Sequence, residues 1–165
     1  MKVLLYLLPL SFLFTSFNNK SEEYEFIEIV NLVRKPVIKG SINGKDAYFL
    51  VDTGSDLSFL NINDKEYFDY DFHKSFKGLR INGMGGKVYG VKQVSGAKLQ
   101  LGSQYIYARF LSCDIQHLVD SFEATSNIKI NGIIGSDTMI NYGFRIDYEN
   151  RQIGIAIKDK LYTKN

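Results

Sequence analysis

Asp52 closes one apolar run, Tyr48-Phe49-Leu50-Val51, and opens the turn Asp52-Thr53-Gly54-Ser55; a second run, Leu57-Ser58-Phe59, follows. A carboxylate delivered by a buried strand is costly unless it is hydrogen-bonded or shared with another group. A shared carboxylate can move protons. The same residues also make an ordinary turn, because Asp, Gly and Ser favour turns through local bonding and tolerance of unusual φ. Other reactive groups are sparse. His73 and His117 are the only imidazoles, far apart and in no metal-binding spacing. The single Cys113 rules out an intrachain disulfide and a multi-cysteine zinc site, and reads as a small buried hydrophobe.

A second unusual stretch is Gly83-Met84-Gly85-Gly86, between the strand-like arms Phe76 to Asn82 and Lys87 to Val91. Glycine there costs backbone entropy but permits close approach to a ligand. It is no phosphate-binding loop: the spacing fits neither the dinucleotide pattern nor a Gly-Lys-Ser/Thr ending, and no helix-forming run follows.

The elements that must position these residues are mostly strands. The 165 residues suit one domain, rich in Tyr (11) and Phe (12), with two prolines. Short apolar segments punctuated by glycine favour sheet over helix, so the expected class is all-β. Strands are expected at Tyr24 to Val30 and Pro36 to Ile42, and Asn43-Gly44 is a hairpin signal because both residues tolerate positive φ. The return strand, Lys45 to Val51, delivers Asp52, and Leu57 to Leu60 continues beyond the turn. Asp64 to Phe68 can form one or two helical turns. Further strands are expected at Ala97 to Leu101, Tyr105 to Ser112 and Ile128 to Gly135; Asp114 to Asn127 is ambiguous. Ser136 suits the cap of a short helix through Tyr142, with Asp137 in its first turn. Phe144 to Tyr148 and Gln152 to Ile157 form a closing hairpin, and a charged tail, residues 158–165, frays.

The formal charge of +2, without a dense lysine cluster, points away from nucleic acid. Residues 1–20 read as an export signal: Met1-Lys2, an apolar block from Val3 to Phe14 too short to span a membrane comfortably, then Asn18-Asn19-Lys20. No clear small-x-small cleavage site follows, so an uncleaved membrane anchor is the alternative. No cysteine lies near the end of the block, which argues against lipid anchoring. The expected location is exported, periplasmic or secreted, with membrane contact only if the segment stays uncleaved.

Taken together, these residues resemble the retropepsin-like aspartic proteases, the single-lobe relatives of pepsin, over roughly Phe26 to Ile157. Leu50-Val51-Asp52-Thr53-Gly54-Ser55 is similar to the family's catalytic loop, Ile81-Asn82-Gly83-Met84-Gly85-Gly86 to its flap tip, Ile133-Ile134-Gly135 with the trailing helix to its second glycine element, and Phe144 to Ile157 to the closing hairpin of bacterial members. The resemblance implies a closed or partly open acid-protease barrel with a short helix in its C-terminal half, occupying residues 24–157. It implies peptide-bond hydrolysis by water activated between two carboxylates, with no metal or other cofactor and an extended peptide or protein as substrate. Only one Asp-Thr-Gly is present, so a homodimer would supply Asp52 twice. Asp137 is explained by its helix start rather than as the second acid, and Asp56, equally consistent with an ion pair to Arg145, is left out of the catalytic set.

In the same reading Thr53 bonds across the dimer axis, Gly54 offers its N–H to the acid, and Ser55 bonds the outer oxygen of Asp52. Gly83, Met84, Gly85 and Gly86 would close over an extended peptide, pairing with it as an added strand. Ile133, Ile134 and Gly135 would pack beneath the catalytic loop. Ser55 replaces the alanine common in viral enzymes, and the Tyr24 to Lys35 extension implies a dimer built differently from theirs. The competing expectation is a catalytically inactive peptide-binding or structural module on the same barrel.

Overall fold

A computed structural model describes residues 23–33, 35–76, 80–81, 86–87 and 90–157. Strand β1 (Tyr24–Asn31) is followed by the hairpin of β2 (Val37–Ile42) and β3 (Lys45–Val51). Its turn is the expected one, with φ of 50° at Asn43 and 78° at Gly44. The Asn43 side chain adds three bonds, donating to the Phe68 and Asp69 carbonyls and accepting the Lys98 N–H. The expected strand after the Asp52 turn is shifted to β4 (Phe59–Asn61), then a 3-10 turn and the short helix α1 (Lys65–Phe68) follow.

Strand β5 (Asp71–Ser75) was not apparent in the sequence. It lies at a sheet edge against a later strand, Lys92–Ser95, with four of its five side chains exposed, so it lacks the apolar alternation that marks a half-buried strand. β6 (Arg80–Ile81) and β7 (Gly86–Lys87) form a separate antiparallel pair. Gly86 of the expected flap lies in β7, whereas Gly83, Met84 and Gly85 lie outside the described residues, as do residues 1–20 and the tail.

Beyond β8 (Lys92–Ser95), the expected Tyr105 to Ser112 strand is two strands. β9 (Leu99–Leu101) and β10 (Gln104–Ile106) form a hairpin, and β11 (Leu111–Cys113) leaves it to run parallel to β4. The chain changes partner between them, and Phe110 N–H donating to the Ala108 carbonyl at 3.1 Å marks the bend. The ambiguous stretch forms helix α2 (Gln116–Ser126), which buries Val119 and Phe122. The expected Ile128 to Gly135 strand is reduced to β12 (Gly132–Ile134), then α3 (Ser136–Asn141) and the closing hairpin β13 (Arg145–Asp147) and β14 (Gln152–Ala156) follow.

One sheet runs β13-β14-β1-β2-β3-β12-β4-β11-β8-β5, with β9 attached to β2 and β10 to β9. The arrangement that matters for Asp52 is at its centre. β12 inserts between β3 and β4, parallel to β3 with Val51 opposite Ile134, and antiparallel to β4. Successive residues of these strands enter two different cores. Phe49, Val51 and Ile134 pack in one, with Ile38 and Leu60; Leu50 and Ile133 pack in the other, with Phe59 and Val119. Burial on both faces explains why the sequence is continuously apolar there. The closing hairpin pairs with β1 of its own chain, Phe26 facing Gly154.

Candidate active site

Asp52 leaves the sheet between two clamps. Its N–H donates to the Ile134 carbonyl of β12 at 3.0 Å, and its own carbonyl accepts the Ser55 N–H at 3.0 Å. The turn folds back over the carboxyl group, so Oδ1 accepts the Gly54 N–H at 3.0 Å, as expected from the sequence. A Cβ at Gly54 would stand 3.3 Å from that oxygen, close enough to crowd it. Oδ2 faces Lys35, whose Nζ lies 2.5 Å away. The Asp52 side chain is only 14% exposed, so these donors replace most of its water.

The rest of the loop is fixed from below by the start of α3. The first N–H groups of a helix have no partners within it. Here they are taken by loop carbonyls: Ser136 N–H donates to Ser55 at 2.8 Å and Asp137 N–H to Asp56 at 3.2 Å. Ser136 is therefore not the cap. The capping position is Gly135, and the Ser136 hydroxyl donates to the Thr53 carbonyl at 3.1 Å. Ser55 also departs from expectation: it is buried, and its hydroxyl donates to the Leu57 carbonyl at 2.8 Å instead of bonding Asp52. The bond within the turn satisfies a hydroxyl that is buried away from water. Thr53, Gly54 and Asp56 are exposed.

Ile133, Ile134 and Gly135 lie beneath the loop. The two isoleucines are buried in separate cores, and Gly135 is where two backbones meet. A Cβ there would collide with the Leu57 carbonyl group, 2.5 Å from its carbon, and stand 2.9 Å from the Ser55 oxygen. Sequence reasoning missed the support on the far side. The Ser58 hydroxyl, fully buried, accepts the Gly135 N–H at 2.9 Å, donates to Asp137 Oδ1 at 2.6 Å and lies 2.7 Å from the Thr138 hydroxyl. Asp137 Oδ1 also accepts the Thr138 N–H. A polar residue inside the apolar run Leu57-Ser58-Phe59 was the available signal. Nothing in the sequence marked Lys35, 17 residues from its carboxylate partner.

The other reactive groups stand apart. His73 and His117 are exposed, and among the described residues no group of three His, Cys, Asp or Glu could hold a metal ion. Burial pushes the Cys113 thiol up to about 12, with Asp114 adding to the shift, so at neutral pH it is not a thiolate.

The model of the family described as aspartyl protease matches residues 38–138, from β2 through the start of α3. This chain belongs to the aspartyl protease family. Its fold is retropepsin-like. A retropepsin-like aspartic protease from Rickettsia conorii superposes with a TM-score of 0.50 at 16% identity, covering 81% of this chain and 89% of that one. The protease of EIAV, solved with the inhibitor HBY-793, gives 0.47 at 24% identity, covering 68% and 92%. The retroviral protease-like domain of Ddi1 from Leishmania major gives 0.47 at 17%, covering 78% and 99%. No curated protein matches the chain. For this family member, the expected all-β class and short helix after the second glycine element are both present, and α2 is an additional helix.

Proposed function

We propose that this aspartyl protease family member is an aspartic endopeptidase that works as a homodimer, with Asp52 of each subunit forming the catalytic pair. The observation that carries the reading is a nearly buried carboxylate at the end of β3, bonded by Gly54 N–H and backed by the Gly135 element. Two adjacent carboxylates cannot both ionise cheaply, so such a pair shares one proton and titrates as a unit. The unprotonated member takes a proton from a water held between them, and the water oxygen attacks the peptide carbon. The protonated member gives its proton to the carbonyl oxygen. The roles then reverse, and the nitrogen leaves protonated. Thr53 would keep the two loops in register, and Gly83, Met84, Gly85 and Gly86 would close over an extended peptide. In this reading residues 24–157 form the protease domain and residues 1–20 direct export or hold it at the membrane, which fractionation of expressing cells tests.

Purified protein incubated with a mixed peptide library at pH about 4 to 7 should cleave, and Asp52→Asn should abolish cleavage while leaving the dimer intact. Cleavage that survives Asp52→Asn sinks the assignment. The second reading, an inactive peptide-binding module, is favoured by the Lys35–Asp52 ion pair, which leaves the single acid already neutralised. A solution mass that stays monomeric at high concentration selects it.

A further inference from the structure

The connection between β1 and β2 delivers a cation to the acid. Proline confines the residue before it to extended backbone, which here is Lys35. The Pro36 carbonyl accepts the Val51 N–H at 2.8 Å, so Lys35 is carried beside the end of β3. Its ammonium lies 2.5 Å from Asp52 Oδ2, while Oδ1 accepts the Gly54 N–H. Within one subunit, both carboxylate oxygens already have donors.

We infer that Lys35 is a latch on Asp52 in the single subunit, and that assembling the paired site requires its release. The inference rests on the homodimeric protease reading of Asp52. Facing carboxylates act by holding one proton and one water between them. An ammonium on Oδ2 takes an acceptor position that water or substrate must reach, and supplies positive charge in place of the shared proton. Two latched subunits would also bring two ammonium groups toward one axis, where like charges repel.

The contact is suited to opening. Lysine is a point charge on a flexible four-carbon stem and lacks the two-pronged grip of arginine on a carboxylate. The Lys35 side chain is 48% exposed against 14% for Asp52, so the lysine can swing into water while the acid stays in place. The single subunit thus keeps its acid occupied until a second copy arrives.

Two measurements test this. In dilute, monomeric protein, a double-mutant cycle of Lys35→Met and Asp52→Asn on urea unfolding reads the contact without catalysis; the expected result is non-additive loss of stability. Additive changes overturn the latch whatever the activity. Sedimentation equilibrium and peptide cleavage are then followed against protein concentration. Lys35→Met should self-associate about tenfold more tightly, which is about 1.4 kcal/mol, and reach half-maximal cleavage at correspondingly lower concentration. Unchanged or weaker association overturns the latch, since the lysine would then be a bystander or a part of the working dimer. Coupling in the monomer with neither association nor cleavage at any concentration overturns the dimeric protease reading instead, and the release step with it.

Discussion

Gly135→Ala should damage the catalytic loop without touching Asp52. The residue has φ of −93° and ψ of 179°, extended backbone open to any amino acid, so conformation does not demand glycine. Space does. The added methyl would meet the Leu57 carbonyl group, 2.5 Å from its carbon, and the Ser55 oxygen at 2.9 Å. Both are backbone atoms of a turn and cannot rotate away as a flexible side chain would.

Relief requires α3 to separate from the loop. That breaks the bonds from Ser136 N–H to Ser55, Asp137 N–H to Asp56 and the Ser136 hydroxyl to Thr53. At about 1 kcal/mol each, the expected loss is about 3 kcal/mol, or a fall in Tm of about 10 °C for a domain of this size. Thermal unfolding by circular dichroism measures the loss, and hydrogen exchange at the Ser136 and Asp137 amides locates it. A loss below about 1 kcal/mol, with both amides protected as in the wild type, would refute the packing argument.

Ser58→Ala removes the acceptor of the buried Gly135 N–H and the one hydroxyl that Asp137 and Thr138 share, so urea unfolding should show a loss of about 2 kcal/mol; a change under about 0.5 kcal/mol, as for an ordinary surface substitution, counts against that network. Tyr70 gives a pH prediction. Burial pushes its phenol from 10.0 up to about 12, so the folded protein keeps a proton that the unfolded chain releases. Its contribution to stability is full below pH 10 and is lost as pH rises toward about 12. Tyr70→Phe should remove one late phenol from an ultraviolet titration and flatten the alkaline fall in stability; it also forfeits the bond to the Asn61 carbonyl, about 1 kcal/mol at neutral pH. An unchanged alkaline slope rejects the assignment.

Local chemistry carried much of the fold. Asn43-Gly44 specifies its turn because both residues accept positive φ, and the apolar run ending at Val51 specifies a strand buried on two faces. α3 was legible from the helix-start residues, although the reason for its start was not: the donors at its N-terminus meet loop carbonyls, which only a folded β12 can bring close. β5 escaped notice because an exposed edge strand needs no apolar pattern, and the break between β10 and β11 because β10 pairs with its neighbour β9 whereas β11 pairs with β4, about 50 residues away in sequence.

The sequence by itself determined that Asp52 sits in a tight turn at the end of a buried strand, since burial pattern and turn chemistry are properties of neighbouring residues. It also determined that Asp-Thr-Gly occurs once. Only the tertiary structure decided what surrounds the carboxylate. Lys35 reaches it across the β1–β2 connection, Ser55 turns to the Leu57 carbonyl, and Gly135 admits α3 against the loop. The Lys35 and Gly135 contacts join segments remote in the chain, whereas the Ser55 hydroxyl bonds a carbonyl two residues on within the turn that those contacts hold. β12 comes between β3 and β4 only after the chain has folded, and no local preference encodes that insertion.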